Sequence, residues 1–282
     1  MTRLRLYLDL IRFEHTLFAL PFAYGGMLLA ARGWPGFRTF LLVTLAMVGA
    51  RTMAMALNRL IDWRIDALNP RTQNRHLPKG LVKPWETLFL ALLGLALLVY
   101  AGLALNPLTA RLLPVTVFFL TIYSYTKRFT WLCHYVLGLT IGAAAAGGWI
   151  AVTGSFHPTA YWLWAGVGFW IAGFDILYAT QDYHFDRAYG VKSIPARFGI
   201  PLALGIARAT HLLAWLCFLL AGLSYGAGSL YFLGLLLVGG LLFYEHRLVS
   251  PEDLSRVDLA FFQANVGVSL GMFLFIVLDI WL

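Results

Sequence analysis

Hydrophobic and polar positions alternate along this chain on the scale of whole helices. A bilayer core of about 30 Å needs roughly 20 apolar residues in a helix. Runs of that kind centre near Tyr24, Met47, Ala96, Phe118, Ala143, Gly168, Leu213, Leu236 and Ile276. Each predicts a spanning helix, nine in all; the first covers residues 16–31, and the last begins as early as Leu259. Most gaps are short turns rich in Gly, Pro or Asn, such as 32–36 and 154–158. Two gaps, 64–85 and 183–200, are long and charged. With no soluble domain, linker or low-complexity segment between the runs, residues 1–282 read as a single polytopic membrane domain.

Composition agrees. Sixty per cent of residues are apolar, 12% are charged, and the mean hydropathy is +0.75. Soluble domains average about 25% charged residues, so lipid must serve as solvent for much of this surface. The net charge of +8 arises from bases lying between the apolar runs, which excludes nucleic acid as the natural partner. Of the 21 Lys and Arg, one side of the nine-span arrangement holds Arg32, Arg38 and Arg111, and Arg51 and Arg208 lie within spans. All the others fall on the opposite side. By the positive-inside rule that side is cytoplasmic. This puts the N-terminus and both charged loops in the cytoplasm, in a multi-pass protein of the cell (inner) membrane with its C-terminus outside. Cys133 and Cys217 form no framework or ligand spacing and read as packing residues.

The charged gaps carry the candidate chemistry. Asn58, Asp62 and Asp66 recur every four residues, so on a helix they form one stripe of oxygen ligands about 12 Å long. Asp182 and Asp186 repeat the step, with Tyr178 one turn earlier. Oxygen clusters suit hard cations such as Mg²⁺ and Ca²⁺, and Mg²⁺ shares its shell with substrate phosphates. Two such helices facing each other predict a binuclear Mg²⁺–diphosphate site. Arg51, Asn58 and Asp62 are spaced as Asp175, Asp182 and Asp186 are, 124 residues apart, which predicts two pseudo-repeated halves with motifs at 58–66 and 178–186. Acids that merely solvate helix ends are the plainer alternative, and matched spacing on one membrane side disfavours it.

Bases surround these motifs: Arg59, Arg64, Arg71, Arg75 and Lys79 after the first, Lys127 and Arg128 after the fourth span, Lys192 and Arg197 after the second motif. A diphosphate leaving group needs such charge, and Arg binds its oxygens bidentately. The positive-inside rule accounts for some of them; Lys127, Arg71 and Lys192 are the expected diphosphate ligands. Arg51 and Asp175 lie about two turns inside their helices and are expected to line the substrate pocket rather than pair with each other. The histidines show no ligand spacing, and of them only His184, between two motif acids, is placed near the site.

At these residues the chain resembles the UbiA-type intramembrane aromatic prenyltransferases. Asn58-x-x-x-Asp62-x-x-x-Asp66 is similar to the family's first acidic motif, and Asn69-Pro-Arg-Thr-Gln-Asn-Arg-His-Leu-Pro-Lys-Gly80 to its continuation. Asp175-x-x-Tyr178-x-x-x-Asp182-x-x-x-Asp186-Arg-x-x-Gly190-Val-Lys192-Ser-Ile-Pro195 is similar to the second, and Tyr123-x-x-x-Lys127 to a third. The string Phe13-Glu14-His15-Thr-Leu-Phe-Ala-Leu-Pro21 is most like the quinone-pathway members, the 4-hydroxybenzoate polyprenyltransferases and their relatives in the futalosine route to menaquinone.

The resemblance implies an all-α fold of nine helices around a central cavity, a cytoplasmic cap built from the charged loops, and a side opening to lipid. It implies Mg²⁺ held by Asn58, Asp62, Asp66, Asp182 and Asp186, with Lys127 assisting catalysis. Arg51, Arg59, Arg71, Tyr123, Asp175, Tyr178 and Lys192 are then expected to bind substrate. The implied reaction moves a polyprenyl group from an allylic diphosphate to an aromatic ring, in ubiquinone or menaquinone synthesis. Inverted repeats and intramembrane charges also fit a transporter with a cytoplasmic-side anion site. A phosphatidyl-alcohol transferase would need an Asp-x-x-Asp-Gly run, which is absent.

Overall fold

A computed structural model describes residues 3–282. All regular structure among the described residues is helical. A short surface helix, α1 (Arg3–Leu10), leads through a 3₁₀ turn at Phe13–His15 into α2 (Thr16–Ala31). Then follow α3 (Phe37–Leu68), α4 (Pro84–Leu105), α5 (Pro107–Thr126), α6 (Cys133–Thr153) and α7 (Pro158–Ala179). The short α8 (Tyr183–Tyr189) and α9 (Ile194–Phe198) precede α10 (Ile200–Tyr225), α11 (Ser229–Arg247), α12 (Val257–Leu259), a π-helical segment Ala260–Ala264, and α13 (Asn265–Trp281).

Among the described residues, eight helical stretches are long and apolar enough to cross a membrane. The ninth, α2, has 16 residues, about 24 Å at 1.5 Å per residue, and is held in the bundle by packing against α6 and α13. The nine helices close a ring in which α2, α3, α4, α5, α6, α7, α10, α11 and α13 each touch the next and α13 returns to α2. Inside it, Phe22, Trp170, Phe218, Tyr231 and Met272 form a buried core. Leu103, Phe118, Leu236 and Phe243 stand exposed on the outside, as lipid-facing residues do.

Local chemistry sets the helix ends. Asn106 caps α5, accepting from the Leu108 and Thr109 amides at 3.1 and 3.0 Å, and Pro107 occupies the first turn, where a missing N–H costs nothing. Ser193 likewise caps α9 ahead of Pro195. The α6–α7 contact depends on small residues. A Cβ on Gly138 would stand 2.1 Å from the Gly168 carbonyl oxygen, and one on Gly142 would stand 2.7 Å from the Gly168 amide nitrogen. Backbones that close are the common device for packing helices where lipid offers no hydrophobic drive.

Asn58, Asp62 and Asp66 lie in the last turns of α3, whose 32 residues make it about 48 Å long. One feature differs from the sequence expectation. The second motif is not one continuous helix: α7 stops at Ala179, and Thr180–Asp182 form a 3₁₀ turn before α8. The Thr180 hydroxyl donates to Leu177 O at 2.6 Å, a local bond that competes with the helical ladder.

Candidate active site

Both acidic motifs arrive at the same end of the ring, under the 69–83 and 190–199 connections. There a cavity of about 230 Å³ is lined by Asn58, Asp62, Asp66, Asp182 and Asp186 together with Arg71, Arg75, Lys127 and Lys192. Tyr123, Asp175 and Tyr178 line it too.

Every acid there has its own partners. Asp62, 1% exposed, accepts from Lys127 Nζ at 2.6 Å, Asn58 Nδ2 at 2.8 Å and Arg128 Nη2 at 3.2 Å. Asp66 takes Arg75 Nη1 on both oxygens at 2.7 Å. Asp182 accepts from Asn69 Nδ2 at 2.9 Å and from Arg71, whose Nε lies 2.8 Å from Oδ1 while Nη2 grips Oδ2. Asp186 accepts from the Ser193 hydroxyl at 2.8 Å. These are charge-assisted bonds, roughly twice as strong as neutral ones.

The 69–83 connection is shaped to deliver Arg71. Asn69 Oδ1 accepts the Arg71 amide at 2.9 Å in an Asx turn, while its Nδ2 reaches Asp182. Arg71 Nη1 then donates to the Tyr178 hydroxyl at 2.9 Å, and the guanidinium carbon lies 4.9 Å above that ring. Burial alone would lower the Arg71 pKa, but the Asp182 carboxylate reverses this and raises it above the usual arginine value. Lys127 and Lys192 are tied through their backbones, the Lys192 amide donating to Lys127 O at 2.6 Å.

At the inner end of the cavity Asp175 meets His134, with Nδ1 and Oδ2 2.6 Å apart. His134 Nε2 accepts the Ile194 amide at 3.2 Å. Because that nitrogen is an acceptor, the ring proton sits on Nδ1 and is donated to Asp175. The sequence reading missed His134, as it missed Ser124, which accepts from Asn58 at 3.2 Å. A histidine in the first turn of an apolar helix was the available signal. His184 is exposed and packs edge-on to Tyr183 instead.

Arg51 and Arg59 are set apart from this cavity. Arg51 donates to Arg12 O at 2.7 Å and Ile11 O at 3.4 Å, and Arg59 to Leu10 O at 3.1 Å. Both guanidiniums supply donors to carbonyls at the end of α1 and its following turn. These bonds fasten the N-terminal segment over α3, and neither arginine is among the residues that line the cavity.

The UbiA prenyltransferase family model matches residues 19–274. The chain belongs to the UbiA prenyltransferase family. A 4-hydroxybenzoate octaprenyltransferase from Shewanella denitrificans is 33% identical over 99% of this chain and 94% of its own. Another, from Vibrio atlanticus, is 29% identical over 98% of both. The apo structure of a UbiA homolog from Aeropyrum pernix K1 superposes with a TM-score of 0.86 at 33% identity, covering 94% of this chain and 98% of that one. A UbiA homolog from Archaeoglobus fulgidus, solved bound to GPP and Mg²⁺, shares the fold with a TM-score of 0.69 at 20% identity, over 96% of this chain and 99% of that one. UbiA membership makes the chain a multi-pass membrane prenyltransferase and removes the transporter reading.

The donor set fits the Mg²⁺ that the UbiA family implies. All five oxygen-bearing side chains face one cavity, and Asn58, which donates from Nδ2 to Asp62 and Ser124, keeps Oδ1 as an acceptor. Among the described residues no three His, Cys, Asp or Glu side chains are drawn close enough to grip an ion. Four acids each turned to a separate partner explain that spacing.

Proposed function

We propose that this protein transfers a polyprenyl group from an allylic diphosphate to the ring of 4-hydroxybenzoate, with Mg²⁺, in the synthesis of ubiquinone or menaquinone. The observation that carries the reading is the paired acids and bases around one cavity: Asp62 with Lys127, Asp66 with Arg75, Asp182 with Arg71. Each of these acids could release its base to a diphosphate and would then be a ligand for Mg²⁺, with no unbalanced charge added. The bases would then be free for the phosphate oxygens. The relatives' names support the acceptor, and the GPP and Mg²⁺ of the Archaeoglobus homolog support the donor.

Asn58, Asp62, Asp66, Asp182 and Asp186 would hold the metal, which when bound would supply positive charge against the leaving diphosphate. Lys127, Arg71 and Lys192 neutralise the remaining phosphate oxygens as the allylic C–O bond breaks and its electron pair leaves with the diphosphate. A ring carbon of the acceptor donates a pair to the allylic cation, forming the C–C bond. Asp175, oriented by His134, receives the ring proton. Tyr178 and Tyr123 wall the pocket, and the 69–83 connection excludes the water that would capture the cation. The two halves act as one domain, each supplying an acidic motif to one site, and the site faces the cytoplasm of the inner membrane, as the distribution of bases supports.

The test compares acceptors. Purified protein in detergent receives Mg²⁺, a short allylic diphosphate and either 4-hydroxybenzoate or an aromatic precursor of the futalosine route, and prenylated rings are read by mass spectrometry. Prenylated 4-hydroxybenzoate supports the reading. Product with the naphthoquinone-type acceptor alone would reassign the acceptor.

A further inference from the structure

A second cavity, of about 600 Å³, opens between α10 and α11, away from the acidic motifs. That is within the roughly 300–1,000 Å³ common for ligand sites. Arg208 and Arg247 stand among its lining residues with His246, and Leu212, Trp215 and Phe243 supply apolar wall. No carboxylate lines it. Among the described residues neither arginine is ion-paired with an acid, and Arg247 lies 5.8 Å over the Phe243 ring.

The wall behind is rigid. His211, 2% exposed, sets Nε2 3.1 Å from the Trp170 carbonyl oxygen, which can only accept, so Nε2 carries the proton. Nδ1 is then the acceptor, and His246 Nε2–H donates to it at 2.9 Å. This leaves His246 Nδ1 for the cavity. A Cβ on Gly173 would lie 2.1 Å from His211 Cδ2, so the α7 backbone presses directly on that ring. Glu245, fully buried, is held from behind by Asn265 at 2.9 Å.

Depth divides the cavity into two levels. Arg208 is eight residues into α10, about 12 Å from its start at the active-site end. Arg247 closes α11, which runs back to the same end. Trp215 is a further two turns towards the membrane middle. Leu212 and Phe243 are 60% and 67% exposed, a surface suited to acyl chains.

We propose that this cavity binds an anionic phospholipid from the leaflet on the active-site side. Its phosphate lies against Arg208 and Arg247, and its chains run over Leu212, Trp215 and Phe243. Bases placed only to orient the chain in the membrane need no cavity between them and no apolar wall beneath, and this pair has both. A soluble phosphate would use the rim alone.

The experiment is native mass spectrometry of the delipidated protein in detergent, titrated with phosphatidylglycerol or phosphatidylcholine. One phosphatidylglycerol is expected to be retained in preference. An Arg208→Gln/Arg247→Gln variant is expected to lose about 30-fold in affinity for it, at roughly 1 kcal/mol per basic residue. Its phosphatidylcholine binding and its prenyl transfer in detergent are expected to stay unchanged. Leu212→Glu, which sets a like charge on the exposed wall, is expected to lower phosphatidylglycerol retention in the same way. Arg38→Gln/Arg111→Gln, on the opposite membrane side, is expected to retain the lipid. Unchanged phosphatidylglycerol binding in the first variant, an equal fall for phosphatidylcholine, or displacement of the lipid by millimolar inorganic phosphate would each overturn the proposal.

Discussion

Replacing Asp62 by Asn removes one negative charge from between Lys127 and Arg128 without changing the side chain's shape. Asp62 is 1% exposed, and its two bases are 28% and 32% exposed. Removing one partner of a buried ion pair costs about 3–5 kcal/mol. The partly solvated bases place this case at the lower end, about 3 kcal/mol. At 2–4 °C per kcal/mol that is a fall of the order of 10 °C in Tm, which a folded protein survives. Turnover suffers more. Losing one preorganised contact to developing charge costs about 10²–10³-fold in kcat, and Asp62 joins the first acidic motif to Lys127 of the third motif. One consequence separates exchange of partners from simple damage. Asp62→Asn frees Lys127 for phosphate, so an allylic diphosphate binds more tightly than to wild type when Mg²⁺ is absent and more weakly when it is present. Isothermal titration with and without EDTA reads both. Turnover above about a tenth of wild type, or weaker binding in both conditions, would refute the reasoning.

Arg71→Lys keeps the charge but loses the two-pronged grip on Asp182 and the bond to Tyr178; KM for the allylic diphosphate is expected to rise about tenfold, with little change in Tm. Asp175→Asn and His134→Phe are expected to lower kcat by about 10²-fold and leave KM for the diphosphate near wild type, since both sit at the inner end of the cavity; steady-state kinetics with the diphosphate varied checks this. Gly138→Ala forces a methyl group against the Gly168 carbonyl, and a loss of about 1–3 kcal/mol is expected, read as a lower Tm in detergent.

The first acidic stripe was legible because it follows a single helical period: Asn58, Asp62 and Asp66 lie on α3 as spacing requires. The nine-helix ring was legible because lipid demands long apolar runs, one helix at a time. The site's other half depends on contacts that no local pattern encodes. His134 meets Asp175 across two helices brought together by Gly138, Gly142 and Gly168, and a sequence shows neither that contact nor the Ile194 amide that fixes the tautomer. Arg51 reads as a pocket residue because it shares a helix face with Asn58, and Arg59 because it is one of the bases crowded around the first motif. The residues that claim them, Leu10, Ile11 and Arg12, offer only backbone carbonyls, which carry no side-chain signature. The 3₁₀ turn at Thr180–Asp182 was hidden in the same way, since the four-residue step from Tyr178 through Asp182 to Asp186 reads as continuous helix.

The most direct test of the central claim is formation of the ring–prenyl bond itself. Wild type, Asp62→Ala and Asp182→Ala proteins in detergent are given an allylic diphosphate and 4-hydroxybenzoate, with Mg²⁺ or with EDTA, and the prenylated acid is quantified by mass spectrometry. Product from the wild type with Mg²⁺, lost with EDTA and lost in both variants, is the predicted result. Product that persists in EDTA or in either folded variant would contradict the account.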